Sequence, residues 1–402
     1  MRRTRWFAFV AAAAALCLGL APDAKADGHE VKVGVILGFT GPIESLTPPM
    51  AASAELALKE ASDSGAFLGG KAIVPVRGDS TCIDAAAATA AAERLVTAEG
   101  VAAIMGADCS GVTTAITNNV AVPNGVTIIS PSATSPALTT IEDNGFFFRT
   151  APSDARQGQV LADILIGRGI DSVAVTYTNN DYGKGLDSSF GDAFAALGGT
   201  VEISAAHEDG KGDYSAEVGA LAASGAEHLV VFGYVDQGGK GIIQTAVDTG
   251  AFENFAVGDG MIGDTLIEAI GDALNGTIAT LPGSATEGAA MFIELAAANG
   301  VEGDGPFRGQ SYDAAALIVL AMQAAGSAER SAIQAQVMAV ANAPGETILP
   351  GELAKGLQIL ADGGEVNYEG ATGVELTDVG EVPGTYQEME VEGGAFVTKA
   401  LH

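Results

Sequence analysis

The chain is short of positive charge: 19 Lys and Arg stand against 50 Asp and Glu in 402 residues. Phosphate backbones are bound by clustered cations that displace counterions, so nucleic acid is excluded as a partner and anionic membrane surfaces are disfavoured. Aromatic residues make up only 6%, and the four histidines (His29, His207, His228, His402) are scattered without ligand spacing, so no metal is expected. Beyond the N-terminus no long uncharged run occurs, which argues against a membrane-spanning mature chain. What is plentiful is apolar, 48% of residues, in a chain long enough for two or three domains and a large core. Disorder is thereby excluded as the main state.

Arg2, Arg3 and Arg5 precede an uncharged apolar run from Trp6 to Ala21, and Ala24-Lys25-Ala26 places small residues where a signal peptidase reads. This pattern predicts a signal peptide cleaved after Ala26, hence a periplasmic mature protein. Cys17 is discarded with it, since Leu16 stands where a lipobox needs Gly or Ala. Losing Arg2, Arg3, Arg5, Lys25 and Asp23 leaves 15 basic and 49 acidic residues, a balance of −34 that belongs to the folded part. Cys82 and Cys109 remain, an even count in an oxidising setting where pairing is the default. Such a bond is worth about 3 kcal/mol in the chain-entropy model.

From Val31 onward, short β-rich runs alternate with Ala-rich helical patterns: strands at 31–37, 72–76, 101–105 and 126–129, with helices at 51–62 and 84–98. A second series follows, with helices at 155–168, 185–197 and 215–223 and strands at 173–177, 201–205, 229–234 and 254–257. Strands separated by helices imply right-handed parallel crossovers, so the fold class is α/β with two doubly wound lobes. The cleft between them would lie at the carboxyl ends of the strands, where open α/β sheets bind ligands.

Ordered along the chain are Val31-Lys32-Val33-Gly34-Val35 leading to Thr40-Gly41-Pro42, then Ile129-Ser130-Pro131-Ser132-Ala133-Thr134, Phe148-Arg149-Thr150 and Asp181-Tyr182-Gly183. Ser311-Tyr312-Asp313-Ala314 and Asn367-Tyr368-Glu369-Gly370-Ala371-Thr372-Gly373 complete the set. In this order and spacing the mature chain resembles the leucine/isoleucine/valine-type solute-binding proteins of ABC transporters. The resemblance implies a type I binding protein with three interlobe crossings, a first lobe of 27–150 plus 281–378 and a second of 151–280 plus 379–402. It implies a monomer without cofactor or catalysis that closes on a small amino acid and docks on a membrane permease. Cys82 and Cys109 fall where the family carries a disulfide. Ser110 and Thr134 match positions that hold a ligand carboxylate, with Ala133 between Thr134 and Ser132, whose carbonyl accepts from the amine. Asp259 matches the acidic amine ligand, Tyr182 and Tyr234 the covering residues. Leu46 stands where leucine receptors tend to place an aromatic, and Pro48-Pro49 should stiffen the loop behind it.

The residue chemistry agrees with those roles. Ser110 and Thr134 follow strand ends, and Ser110 opens a helix-like run, so free N–H groups and a helix dipole favour a carboxylate without a basic side chain. Asp259 supplies a fixed charge for an ammonium, and charge-assisted bonds are the strong ones. Tyr312 reads equally as packing or as ligand contact, and Asp313 as an N-cap for a helix over 314–325.

Competing readings are weaker. Gly258-Asp259-Gly260-Met261-Ile262-Gly263 satisfies a dinucleotide fingerprint, yet it places Asp259 where a pyrophosphate would pass and lacks an acidic ribose partner. Gly309-Gln310-Ser311-Tyr312-Asp313 lacks the final Gly of a nucleophile elbow. His207-Glu208-Asp209, followed by Gly210-Lys211-Gly212-Asp213, reads as a solvated turn. An amide or carboxylate receptor, or a sensory subunit, on the same fold is the nearer alternative.

Overall fold

The computed structural model describes residues 29–283, 285–303 and 305–402. The expected signal peptide, its cleavage after Ala26 and Cys17 lie outside the described residues.

Five parallel strands form the first sheet: β1 (Glu30–Leu37), β2 (Ala72–Asp79), β3 (Ala103–Gly106), β4 (Thr127–Ser130) and β5 (Phe147–Arg149), in the spatial order β2-β1-β3-β4-β5. Val33, Val35, Ile36, Leu37, Ile104, Ile128 and Ile129 are fully buried. Strands covered on both faces carry such continuous apolar runs. The second sheet begins with β6 (Ser172–Thr178), β7 (Thr200–His207), β8 (His228–Phe232), β9 (Asn254–Val257) and β10 (Ile278–Pro282), all parallel. A small parallel pair, β11 (Glu346–Ile348) and β12 (Val366–Tyr368), stands apart. Finally β13 (Tyr386–Glu392) and β14 (Ala395–Leu401) form a hairpin that joins the second sheet antiparallel to β10. The α/β class with parallel sheets is as expected. The hairpin was not anticipated, and it turns at Gly393 and Gly394, both at positive φ.

The chain passes between the sheets three times: after β5, after β10 and before β13. Following β10 it returns to the first sheet as the helix Arg308–Ala325, buried without interruption from Gln310 to Gln323 between the helix Thr47–Asp63 and strands β3 and β4. This helix corrects the expected N-cap role of Asp313. The residue sits inside it, and its buried carboxylate accepts from the Tyr368 hydroxyl (2.7 Å), the N–H groups of Ala371 and Thr372 (2.8 and 2.9 Å) and the Thr372 hydroxyl (2.6 Å). A buried carboxylate needs such donors, and these anchor the 368–372 turn. Pro48 and Pro49 likewise stiffen no loop. They occupy the first turn of the helix Thr47–Asp63, where a missing N–H costs nothing and the fixed φ suits the helix.

Cys82 and Cys109 are bonded, with Cα atoms 5.1 Å apart, pinning the loop after β2 to the segment after β3. Of His207-Glu208-Asp209, which leads into the solvated turn, two side chains are structural. His207 ends β7 almost fully buried, its Nδ1 2.9 Å from the Thr176 hydroxyl. Asp209 accepts from the Thr178 hydroxyl (2.5 Å) and from Gly238 N–H (3.0 Å) at the start of the helix Gly238–Thr249. Glu208 is exposed, the turn takes in Asp209 and Gly210, and Gly210 to Asp213 are exposed as expected.

Burial disfavours the charged imidazole and pulls His207 down from 6.5 to about 4. Because the unfolded chain binds the proton more readily, this group's contribution is intact above pH 6.5 and is lost as the pH falls toward 4, by about 3 kcal/mol. Chemical denaturation of the parent and of His207→Gln between pH 7 and 4 should differ by that step; superimposable pH profiles would contradict it.

Candidate ligand-binding site

The carboxyl ends of the two sheets face each other across a small cavity. Leu46, Ser110, Ser132, Tyr182, Tyr234 and Asp259 all line it, together with Ile43, Met50, Asp108, Cys109, Gly260 and Phe307. Of the expected site residues, Ala133 and Thr134 lie on the adjoining loop, both buried, without lining the cavity.

That loop is aimed by its carbonyl partners. Arg149, fully buried, donates from Nη1 to the carbonyls of Ala133 (2.9 Å) and Ser135 (3.0 Å), and Asp154 N–H donates to the Thr134 carbonyl (2.8 Å). Arg149 also donates from Nη2 to the Thr139 hydroxyl (2.8 Å) and from Nε to Glu381 Oε2 (3.0 Å), its Nη2 closing the ion pair. With these carbonyls engaged, the Thr134 N–H has no acceptor among the described residues. Ser110 begins the helix Ser110–Ile116, and its Oγ accepts from Ser135 N–H (3.1 Å), which leaves the hydroxyl proton to give.

On the opposite wall, Asp259 follows β9 in a single 3₁₀ turn, almost wholly buried, with Oδ1 accepting from the Tyr182 hydroxyl (2.8 Å). Tyr182 stacks on Tyr234 at 5.4 Å, and Asn180 donates to the Tyr234 hydroxyl (3.3 Å). The glycines of the formal fingerprint serve this packing: a Cβ at Gly258 would meet the Tyr182 hydroxyl at 2.8 Å, and one at Gly260 the Gly233 carbonyl at 2.7 Å. Burial raises the Asp259 carboxyl above its ordinary range, opposed by the Tyr182 hydrogen bond.

Several cavity residues escaped the sequence reading. Asp108 accepts from Gly38 N–H (2.5 Å), Cys109 N–H (2.9 Å) and the Ser80 hydroxyl (3.0 Å), and burial raises its carboxyl. Ile43, Met50 and Phe307 supply an apolar wall and carry no local signal of that role. Tyr312 is packing: its hydroxyl donates to Glu60 (2.5 Å) and accepts from Gly351 N–H (3.2 Å), away from the cavity. Among the described residues no cluster of three or more His, Cys, Asp or Glu could hold a metal, and no helix is long and apolar enough to cross a membrane.

The arrangement sets Ser110, Ser132 and the Asp108 carboxylate on one wall and the Asp259 carboxylate on the other, with an apolar patch between. The family model described as "Periplasmic binding protein" matches residues 30–352, and the chain belongs to that family of solute-binding proteins. It is similar to Leu/Ile/Val-binding protein homolog 3 of Brucella melitensis, 29% identical over 334 residues that cover 81% of this chain and 86% of that protein. In fold it matches the branched-chain amino acid transporter substrate binding protein LivJ from Streptococcus pneumoniae in complex with isoleucine (TM-score 0.76, 22% identity, 92% of this chain and 98% of that one). It matches equally an ABC transporter solute binding protein from R. palustris in complex with 4-hydroxybenzoate (TM-score 0.74, 19% identity, 92% and 95%). The family and its type I bilobed architecture are those expected from the sequence.

Replacing Arg149 by Met should leave the Ala133 carbonyl without a donor and the Glu381 carboxylate with the Thr139 hydroxyl but no charge partner, and cost about 3–5 kcal/mol. The midpoint of urea unfolding measures it, and adding Glu381→Gln should restore part of the loss. A single variant as stable as the parent would contradict this account.

Proposed function

We propose that the chain is the exported, ligand-capturing subunit of an ABC importer, which holds a small zwitterionic α-amino acid with an aliphatic side chain and delivers it to a membrane permease. In this reading it acts in the periplasm as a monomer after loss of residues 1–26, without cofactor or turnover. Its lobes, 27–150 with 281–378 and 151–280 with 379–402, close about the three crossings.

The observation that carries the proposal is the buried carboxylate of Asp259 on one cavity wall, opposite the hydroxyl of Ser110 on the other. A ligand ammonium suits the first and a ligand carboxylate the second, assisted by the Thr134 N–H and with the Ser132 carbonyl as a further acceptor. Tyr182 and Tyr234 cover the ligand. Ile43, Leu46, Met50 and Phe307 suit an aliphatic side chain. No Lys or Arg lines the cavity, and two carboxylates do. An aromatic acid such as the 4-hydroxybenzoate of the R. palustris protein would therefore bring its charge against Asp259 with no ammonium to offset it.

Asp259→Ala would bury the ligand ammonium without its charge partner, a loss of about 2–5 kcal/mol, or roughly thirtyfold to several thousandfold in affinity. Ser110→Ala should cost less, since backbone N–H groups remain. Calorimetry with L-leucine and L-isoleucine, with 4-hydroxybenzoate as the amine-free control, decides the matter. If Asp259→Ala binds as tightly as the parent, or the benzoate binds best, the amino-acid reading is wrong and a carboxylate receptor takes its place.

A further inference from the structure

Beside Asp259 the interlobe contact contains a group that the sequence did not single out. Asp154, first residue of the helix Asp154–Gly167, is fully buried, and neither of its carboxylate oxygens has a hydrogen-bond partner. Two more buried atoms nearby are unpaired: Thr134 Oγ1, on the loop whose carbonyl accepts from Asp154 N–H, and Gln157 Oε1, one turn along the helix. Four orphaned oxygens in one place are unusual, because buried polar atoms are as a rule paired. The Thr134 hydroxyl can turn to give its proton to Asp154, but a carboxylate and an amide oxygen only accept, so at least one further donor is called for.

The charges around Asp154 leave this need unmet. Asp259 faces it from the segment after β9 and carries the same sign. Arg149 of β5 is within electrostatic range, but its guanidinium is committed to Glu381, Thr139 and the carbonyls of Ala133 and Ser135. Tyr182 and Tyr386, facing from the helix Asp181–Ala196 and from β13, are neutral phenols held well above their ordinary range by burial first and by both carboxylates second. Arg156, on the same helix as Asp154, acts on Tyr386 and is only partly buried. The helix N-terminus favours a negative charge on Asp154, a modest effect against burial beside a second carboxylate.

We infer that Asp154 and Asp259 share one proton in the unliganded cleft and that the ligand's ammonium displaces it, so that each capture releases one proton to solvent. The inference rests on the amino-acid reading above and deepens it. The pair carries a charge of about −1 with its proton, and again about −1 when both carboxylates are ionised around an ammonium. The exchange therefore avoids accumulating buried charge of either sign. Burial raises both carboxyls, and the charge of Asp259 raises Asp154 further, in keeping with a proton retained by the pair. By linkage, ligand affinity should rise with pH, by up to tenfold per unit, until the pair's upper titration step is passed.

Two measurements on the mature protein test this. Infrared spectra of the unliganded protein at pH 7 should show a protonated-carboxyl band that is lost in Asp154→Asn. Calorimetry with L-leucine in phosphate and in Tris should give buffer-dependent heats equivalent to about one proton released, with none in Asp154→Asn, and an affinity that rises from pH 5 to 7 only in the parent. Binding with buffer-independent heats and a flat pH profile would overturn the inference while leaving the amino-acid reading intact, and identical carboxyl spectra for the two proteins would overturn it as well. If no amino acid gives a heat but the band behaves as described, the shared proton stands and the amino-acid reading falls.

Discussion

The guanidinium of Arg149 joins parts of the molecule that are far apart in the chain. It fixes two carbonyls of the 133–135 loop, it is paired with Glu381 on the last passage between the sheets, and its own N–H donates to Gly380 of the same passage. Without that anchor the Ala133 carbonyl would be free to turn toward the cleft and set an acceptor near Asp259, while Asp154 and Leu138 N–H groups would still hold those of Thr134 and Ser135. The sign of the field on one side of the cavity thus depends on an ion pair outside it. Buried pairs of this kind gain little net stability over an apolar substitute, so geometry is the more persuasive reason for this one.

The walls of the cleft also divide the work. The first lobe offers Ser110, Ser132 and Asp108, the second offers Asp259 and the stacked pair Tyr182 and Tyr234. Neither wall alone matches both ends of a zwitterion. Recognition that needs both walls makes the relative position of the lobes part of the specificity, since a ligand that satisfies one wall leaves buried polar groups unpaired on the other.

Much of this was legible in the sequence because alternating β-rich and Ala-rich runs have distinct periods, and the parallel strands fall close to their expected places. The misses share a cause. Asp313 looked like a cap because acidic residues favour helix starts, whereas tertiary burial made it the acceptor for a distant turn. His207 and Asp209 looked solvated because Gly210 and Gly212 follow, but β7 extends to His207 and Asp209 caps a helix some thirty residues later. Asp154 is indistinguishable in sequence from an ordinary first-turn acid, and only the approach of Asp259 from another part of the chain gives it meaning. The β13 and β14 hairpin did have a local signal in Gly393-Gly394 between β-rich runs, and it was passed over.

The helix Arg308–Ala325 has a consequence for how the molecule is made. It packs against the helix Thr47–Asp63 and strands β3 and β4 of the first half as well as against the helices that follow it, yet the whole block from β6 to β10 must be synthesised before it appears. An N-terminal fragment ending after β5 would present the faces of β3 and β4 to water without that cover, so the first half is not a unit that can mature alone. Its assembly waits on contacts more than two hundred residues apart in sequence, which is slow by the logic of loop closure. A polypeptide emerging from its N-terminus therefore completes its two halves together, late, rather than one after the other.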